Sequence, residues 1–143
     1  MRDIMTKIVL AIPEETSAED AARMMRDNNV GLLPVGEKDR IVGVITDRDL
    51  VVRVVANAMD AKHTPVSDVM TRQFFHCFDD QDVEDACFIM EEKRVRRLLV
   101  FSRSRDLIGI LSLDDVATRT NKEELTGHAL SKVAKGFAQK VVS

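Results

Sequence analysis

Gly43-Val44-Ile45-Thr46-Asp47-Arg48-Asp49-Leu50 returns in the second half of the chain as Gly109-Ile110-Leu111-Ser112-Leu113-Asp114-Asp115-Val116. Both stretches read as a buried apolar strand that hands over to a helix at a Ser or Thr. Outward from them the likeness continues. Asp3-Ile4-Met5-Thr6 meets Asp68-Val69-Met70-Thr71, and Glu19-Asp20-Ala21 meets Glu84-Asp85-Ala86. Met25, Val30, Leu33 and Val35 meet Met90, Val95, Leu98 and Val100. A repeat this long is a supersecondary unit used twice, each copy too small to bury a core alone. Two copies are expected to pack face to face and leave equivalent clefts, with function in the clefts.

Each copy reads strand, helix, strand, strand, helix, an α/β (α+β) pattern. In copy one, Ile8 to Ile12 is a strand ended by Pro13. Thr16 and Ser17 are N-cap candidates, and Thr16-x-x-Glu19 has capping-box form. The helix carries Ala18, Ala21, Ala22 and Met25 and is expected to stop near Asn28-Asn29. Strands follow at Leu32–Val35 and Ile41–Ile45, then a Val-rich helix from Asp47 to about Ala58. Copy two gives strands Phe74–Phe78, Leu98–Phe101 and Leu107–Leu111, and helices Val83–Glu92 and Leu113–Arg119. The repeats are therefore placed at 1–58 and 66–120, with 59–65 as linker. The tail, 121–143, has no counterpart. Leu125, Ala129, Val133, Phe137 and Val141 would give a helix there one apolar face, although Gly127 and Gly136 weaken it.

The chain has 143 residues, 45% hydrophobic and 31% charged, the profile of a soluble globular domain. Its net charge of −3 speaks against nucleic acid as the main partner, because a phosphate backbone needs a basic face. Without Trp or Tyr, base-stacking platforms are also poorly supplied. No apolar run reaches membrane-spanning length, and Met1 to Thr6 lacks the apolar stretch of a signal peptide. Cys77 and Cys87 suggest no disulfide framework. A cytoplasmic protein with reduced thiols is expected. Five of the six Phe lie in copy two, at 74, 75, 78, 88 and 101, and are expected in the core, the alternative being that one of them borders a flat apolar ligand.

The chemistry concentrates in Thr46-x-x-Asp49 and Ser112-x-x-Asp115. Each lies at the carboxyl end of a strand, where α/β folds bind ligands. An ionised Asp offers only acceptors and suits the paired hydroxyls of a ribose. The hydroxyl three residues earlier can donate to a sugar or phosphate oxygen. The same pattern is a capping box that needs no ligand, and the two readings are compatible. Arg96 and Arg97 lead into the strand expected to border the cleft, and their forked guanidinium groups suit phosphate. Arg48, inside the motif, is a second phosphate candidate. The rest of the basic run, Lys93 and Arg94, reads as a solvated face. An enzyme is not expected: no Walker loop, nucleophile elbow or ordered triad occurs. A metal site from His76, Cys77 and Cys87 lacks the usual paired spacing.

Together these motifs resemble the cystathionine β-synthase (CBS) domain pair, or Bateman module, over roughly residues 1 to 120. The segments Asn29–Val35 and Gly43–Leu50 are very similar to small stand-alone prokaryotic CBS-pair proteins. The resemblance implies tandem repeats packed sheet to sheet with pseudo-two-fold symmetry. It implies a regulatory module, not a catalyst, that binds AMP, ADP, ATP or S-adenosylmethionine. By that resemblance Asp49 and Asp115 would hold ribose, and Thr46 and Ser112 ribose or phosphate. Arg96 and Arg97 would meet phosphate, and Thr6 and Thr71 would line the adenine pocket. The resemblance further implies a disc-like homodimer and a regulated enzyme or transporter as partner. The alternatives are a docking module without ligand and a DNA-associated regulator. Copy two has Leu99 for Pro34, and Arg96-Arg97 where copy one has Gly31-Leu32, so the two clefts are unequal.

Overall fold

The structure is a computed structural model and describes residues 4–7, 11–119, 127 and 130–133. The chain is mixed α and β with two small sheets. It divides into two compact units, one of Leu10–Phe74 and one of Met1–Val9 with Phe75–Ser143.

In the first unit, helix α1 (Ala18–Asn28) precedes strands β2 (Leu32–Glu37) and β3 (Arg40–Thr46). Strands β2 and β3 pair antiparallel, with Leu32 opposite Thr46 and Pro34 opposite Val44. Ile12 bridges Val35 in parallel on one side, and Thr71 bridges Val44 antiparallel on the other. Of the expected strand Ile8–Ile12, residues 8–10 lie outside those described. The N-cap of α1 is Ser17, whose Oγ accepts the Asp20 N–H at 3.0 Å, so the cap falls one residue later than Thr16-x-x-Glu19 predicts. The N–H groups of Ala18 and Glu19 donate to the carbonyls of Thr64 and Ala61, which tethers the linker to the helix start. Asn29 closes α1 in the left-handed conformation. Ile12, Ala21, Val35, Ile45 and Val66 form the centre of this core.

Helix α2 (Asp47–Asp49) is only one turn, and the chain continues as a π-helical turn, Leu50–Val55. The expected helix to Ala58 is therefore shorter and wider. The stretch is crowded with β-branched valines, which lose rotamer freedom in an α-helix. The Ala56 N–H reaches back to the Val51 carbonyl instead of one residue nearer. Val54 faces the core, while Val51, Val52 and Val55 face out.

In the second unit, β1 (Thr6–Lys7), β4 (His76–Phe78), β5 (Arg97–Phe101) and β6 (Leu107–Ser112) form one sheet in the order β1-β6-β5-β4. Helices α3 (Val83–Lys93) and α4 (Leu113–Arg119) complete it. Thr6 lies opposite Ile110, and Cys77 opposite Val100. These are the repeat counterparts of Thr71 opposite Val44 and Ile12 opposite Val35, so both units are built on one register. Cys77, Ala86, Met90, Leu98, Leu111 and Val116 are central to the core. The five Phe do not form the core expected of them: Phe88 is 60% exposed, and Phe74, Phe75, Phe78 and Phe101 are only half-buried. Ala86, Cys87 and Met90 occupy the buried stripe of α3, which leaves Phe88 on the outer face. Of the tail positions singled out above, Val133 is half-buried against this core. Leu125, Ala129, Phe137 and Val141 lie outside the described residues.

The opening tetrapeptide of each sequence repeat thus pairs with the last strand of the other repeat. Two glycines make this possible. A Cβ on Gly43 would stand 2.8 Å from the Thr71 carbonyl oxygen and 3.0 Å from Met70 Sδ. A Cβ on Gly109 would stand 2.9 Å from the Thr6 carbonyl oxygen and 2.6 Å from Met5 Sδ. The Gly of one motif and the Met-Thr of the other are two halves of one close crossing.

Candidate functional site

Both copies of the [ST]-x-x-Asp motif close as reciprocal caps. Asp49 N–H donates to Thr46 Oγ1 at 3.1 Å, and Thr46 N–H donates to Asp49 Oδ2 at 3.0 Å. Asp115 N–H donates to Ser112 Oγ at 3.0 Å, and Ser112 N–H donates to Asp115 Oδ2 at 3.1 Å. The capping reading is thus realised in full. It fixes the rotamer of each carboxylate at the mouth of its strand, and a carboxylate with four lone pairs can still accept more.

The surroundings of the two carboxylates differ. In the first unit Asp49 is 7% exposed. Thr71 Oγ1 donates to its Oδ1 at 3.0 Å and lies 3.2 Å from its Oδ2. Arg53 Nη1 stands 3.6 Å from Oδ1 and donates to the carbonyls of Val69 and Met70 at 2.9 and 2.8 Å. Thr46, Asp49 and Thr71 therefore come together. Arg48 is exposed on the first turn, with its backbone N–H on Asp47 Oδ1. Arg53 was not singled out from the sequence. Its signal was the spacing Asp49-x-x-x-Arg53, which puts both on one helix face.

In the second unit Arg97 is directly opposite Ser112 across β5 and β6. Cross-strand partners share a sheet face, with Cβ atoms about 5 Å apart. Thr6 is opposite Ile110, so by the two-residue alternation Thr6, Ser112 and Arg97 project from the same face. Arg97 and Thr6 are exposed, and Ser112 and Asp115 half-buried. Among the described residues the Asp115 carboxylate accepts only the Ser112 N–H. The Arg96 carbonyl accepts the Leu113 N–H, and its guanidinium lies 3.8 Å from Asp114 Oδ1, both groups well exposed. In copy one the residue opposite Thr46 is Leu32, which brings no charge.

Burial pushes the Cys77 thiol up to about 11 and raises that of Cys87 as well, so both stay protonated at neutral pH. Among the described residues no three His, Cys, Asp or Glu gather to hold a metal, and no helix is long and apolar enough to cross a membrane.

The CBS domain model matches residues 1–56 and again 66–121. The CBS domain-containing protein YhcV of Bacillus subtilis is 33% identical over 134 residues, covering 94% of each chain. A crystal structure of Hypoxic Response Protein I with two coordinated zinc ions superposes with a TM-score of 0.69 at 32% identity, over 81% of this chain and 94% of that one. A putative signal-transduction protein with CBS domains from Burkholderia ambifaria gives 0.70 at 26% identity, over 82% and 85%. The chain belongs to the CBS-domain family, as a tandem pair. CBS pairs are regulatory modules.

Proposed function

We infer that this protein is a non-catalytic regulatory module that senses an adenosine-containing nucleotide through the Ser112–Asp115 motif. The observation that carries this is the cross-strand placement of Arg97 beside Ser112, with Asp115 held in a fixed rotamer at the same strand end. A ribose offers two adjacent hydroxyls, and the carboxylate of Asp115 has acceptor positions for both. A phosphate on the same ligand would meet the Arg97 guanidinium, and Arg96 adds charge nearby. Thr6, on the same face, would border the base.

The module is further expected to work as a homodimer. Val51, Val52, Val55 and Met59 are 59%, 46%, 70% and 40% exposed and lie along one turn and its exit. An apolar strip of this kind on a soluble protein marks a contact surface. A second copy of the same strip would match it by two-fold symmetry. The regulated enzyme or transporter would be engaged by that assembly.

Calorimetry and thermal shift with AMP, ADP, ATP, S-adenosylmethionine and adenosine test the ligand reading. A ligand at 100 times its dissociation constant adds about 2.7 kcal/mol of stability. Binding in the micromolar range, weakened tenfold or more by Asp115→Ala, is expected, since a charge-assisted hydrogen bond contributes about 1.5–3 kcal/mol. Absence of heat and of any melting shift with all five would leave the docking module and the DNA-associated regulator as the remaining readings.

A further inference from the structure

The two copies of the motif are chemically alike in sequence, yet among the described residues only one has its carboxylate engaged by a second segment of chain. Asp49 accepts from the Thr71 hydroxyl as well as from its own cap, and Arg53 stands beside it while gripping the Val69 and Met70 carbonyls. The Thr71 N–H and carbonyl are bonded to Val44 at 2.8 and 2.9 Å. The segment Val69–Thr71 is thus fastened by backbone pairing, by a guanidinium and by a carboxylate. Asp49 is almost fully buried in doing so. A ribose at Asp49 would compete with Thr71 for the carboxylate, and Leu32 offers no charge to a phosphate.

We propose that the copies have divided their work: Asp49 is an internal latch holding Val69–Thr71 on β3, and the chain takes one nucleotide, not two, at the Asp115 copy. The second half of this statement rests on the nucleotide reading above; the first half does not. The latch gives the first unit a closed edge. The second unit keeps the same register at Thr6 but leaves Thr6 exposed, and among the described residues no second segment bonds the Asp115 carboxylate.

The latch is tested without ligand by a double-mutant cycle between Asp49→Asn and Thr71→Val, read by chemical denaturation. Each single variant is expected to raise the unfolding constant roughly tenfold or more, and the pair to cost clearly less than the product of the two. Thr71→Ser, which keeps the hydroxyl, should restore most of the loss. If Thr71→Val does not fold, amide exchange in Asp49→Asn decides: the Thr71 and Val44 amides should exchange at least tenfold faster. Independent effects in the cycle, or unchanged exchange at those amides, overturn the latch.

Stoichiometry is then measured by calorimetry with ADP on the wild type, Asp49→Asn and Asp115→Asn. One ADP per chain is expected. Asp49→Asn should bind within a factor of three of wild type, while Asp115→Asn should lose tenfold or more with little change in melting. Two ADP per chain, or loss of affinity in Asp49→Asn at unchanged melting temperature, overturns the division of labour. If wild type binds no nucleotide, the functional reading fails, and the cycle still judges the latch.

Discussion

Substituting Gly43 by Ala tests the crossing on which the first unit is built. The added Cβ would stand 2.8 Å from the Thr71 carbonyl oxygen, a backbone atom that is itself bonded to the Val44 N–H. It would also stand 3.0 Å from Met70 Sδ, in the core. The thioether can swing away, but the carbonyl cannot move without loosening the bridge at Val44. Overpacking of this kind costs about 1–3 kcal/mol, roughly a 5- to 150-fold rise in the unfolding constant. For a chain of this size that is a melting drop of about 3–4 °C per kcal/mol. Guanidinium unfolding of the wild type and variant measures it, with an unchanged slope showing that the two ends of the transition are the same. Gly127→Ala is the internal control, because among the described residues a Cβ there meets nothing within 4 Å. A Gly43→Ala protein as stable as wild type, or a control that loses as much, would refute the close-crossing argument.

Replacing Arg96 and Arg97 together by Ala is expected to reduce affinity in the order ATP, then ADP, then AMP, and to leave adenosine nearly untouched, since the lost attraction scales with ligand charge. Titrations at two salt concentrations check it, and equal losses for adenosine and ATP would place the arginines in the base pocket or the scaffold. Val55→Glu puts a charge on a side chain 70% exposed in the apolar strip, and is expected to shift sedimentation from dimer to monomer at tens of micromolar without lowering the monomer's stability. The Asp60 carboxylate bonds His63 Nδ1 at 2.6 Å and raises the imidazole above its ordinary value. A raised folded value makes that contribution full below about pH 6.5 and lost as pH rises through the folded value. His63 is also expected to titrate lower in Asp60→Asn, which a proton NMR titration reads directly.

The repeat and both capping boxes were legible because their spacing is local: three residues set an N-cap and alternation sets a strand. By resemblance Thr46, Asp49 and Thr71 were each expected at a ligand, in separate roles, and the direct bond of the Thr71 hydroxyl to the Asp49 carboxylate was not foreseen. The pairing of Thr6 with Ile110 and of Thr71 with Val44 was not legible, because periodicity identifies a strand without naming its neighbour. For the same reason Gly43 and Gly109 read as part of a ligand motif, when the atoms that require them belong to Met70-Thr71 and Met5-Thr6. Arg53 was hidden in a run of valines whose π-helical turn no propensity predicts. Ser17 displaced Thr16 as cap because two adjacent hydroxyls fit the same pattern and only the backbone chooses between them.

Because each opening tetrapeptide pairs outside its own repeat, the order of synthesis and the order of assembly differ. The stretch Leu10–Phe74 is contiguous and can close as soon as it has emerged. Thr6-Lys7 is made before it yet must wait for β6, and closing that loop spans the stretch from Thr6 to Ile110. Until then Ile4 and Met5 remain without their core, a waiting hydrophobic end that a chaperone or an early misfold could capture. A fragment cut at the linker would in addition leave Val44 without Thr71, whereas one cut after Phe74 would keep that edge covered, with Thr6-Lys7 unpaired in both.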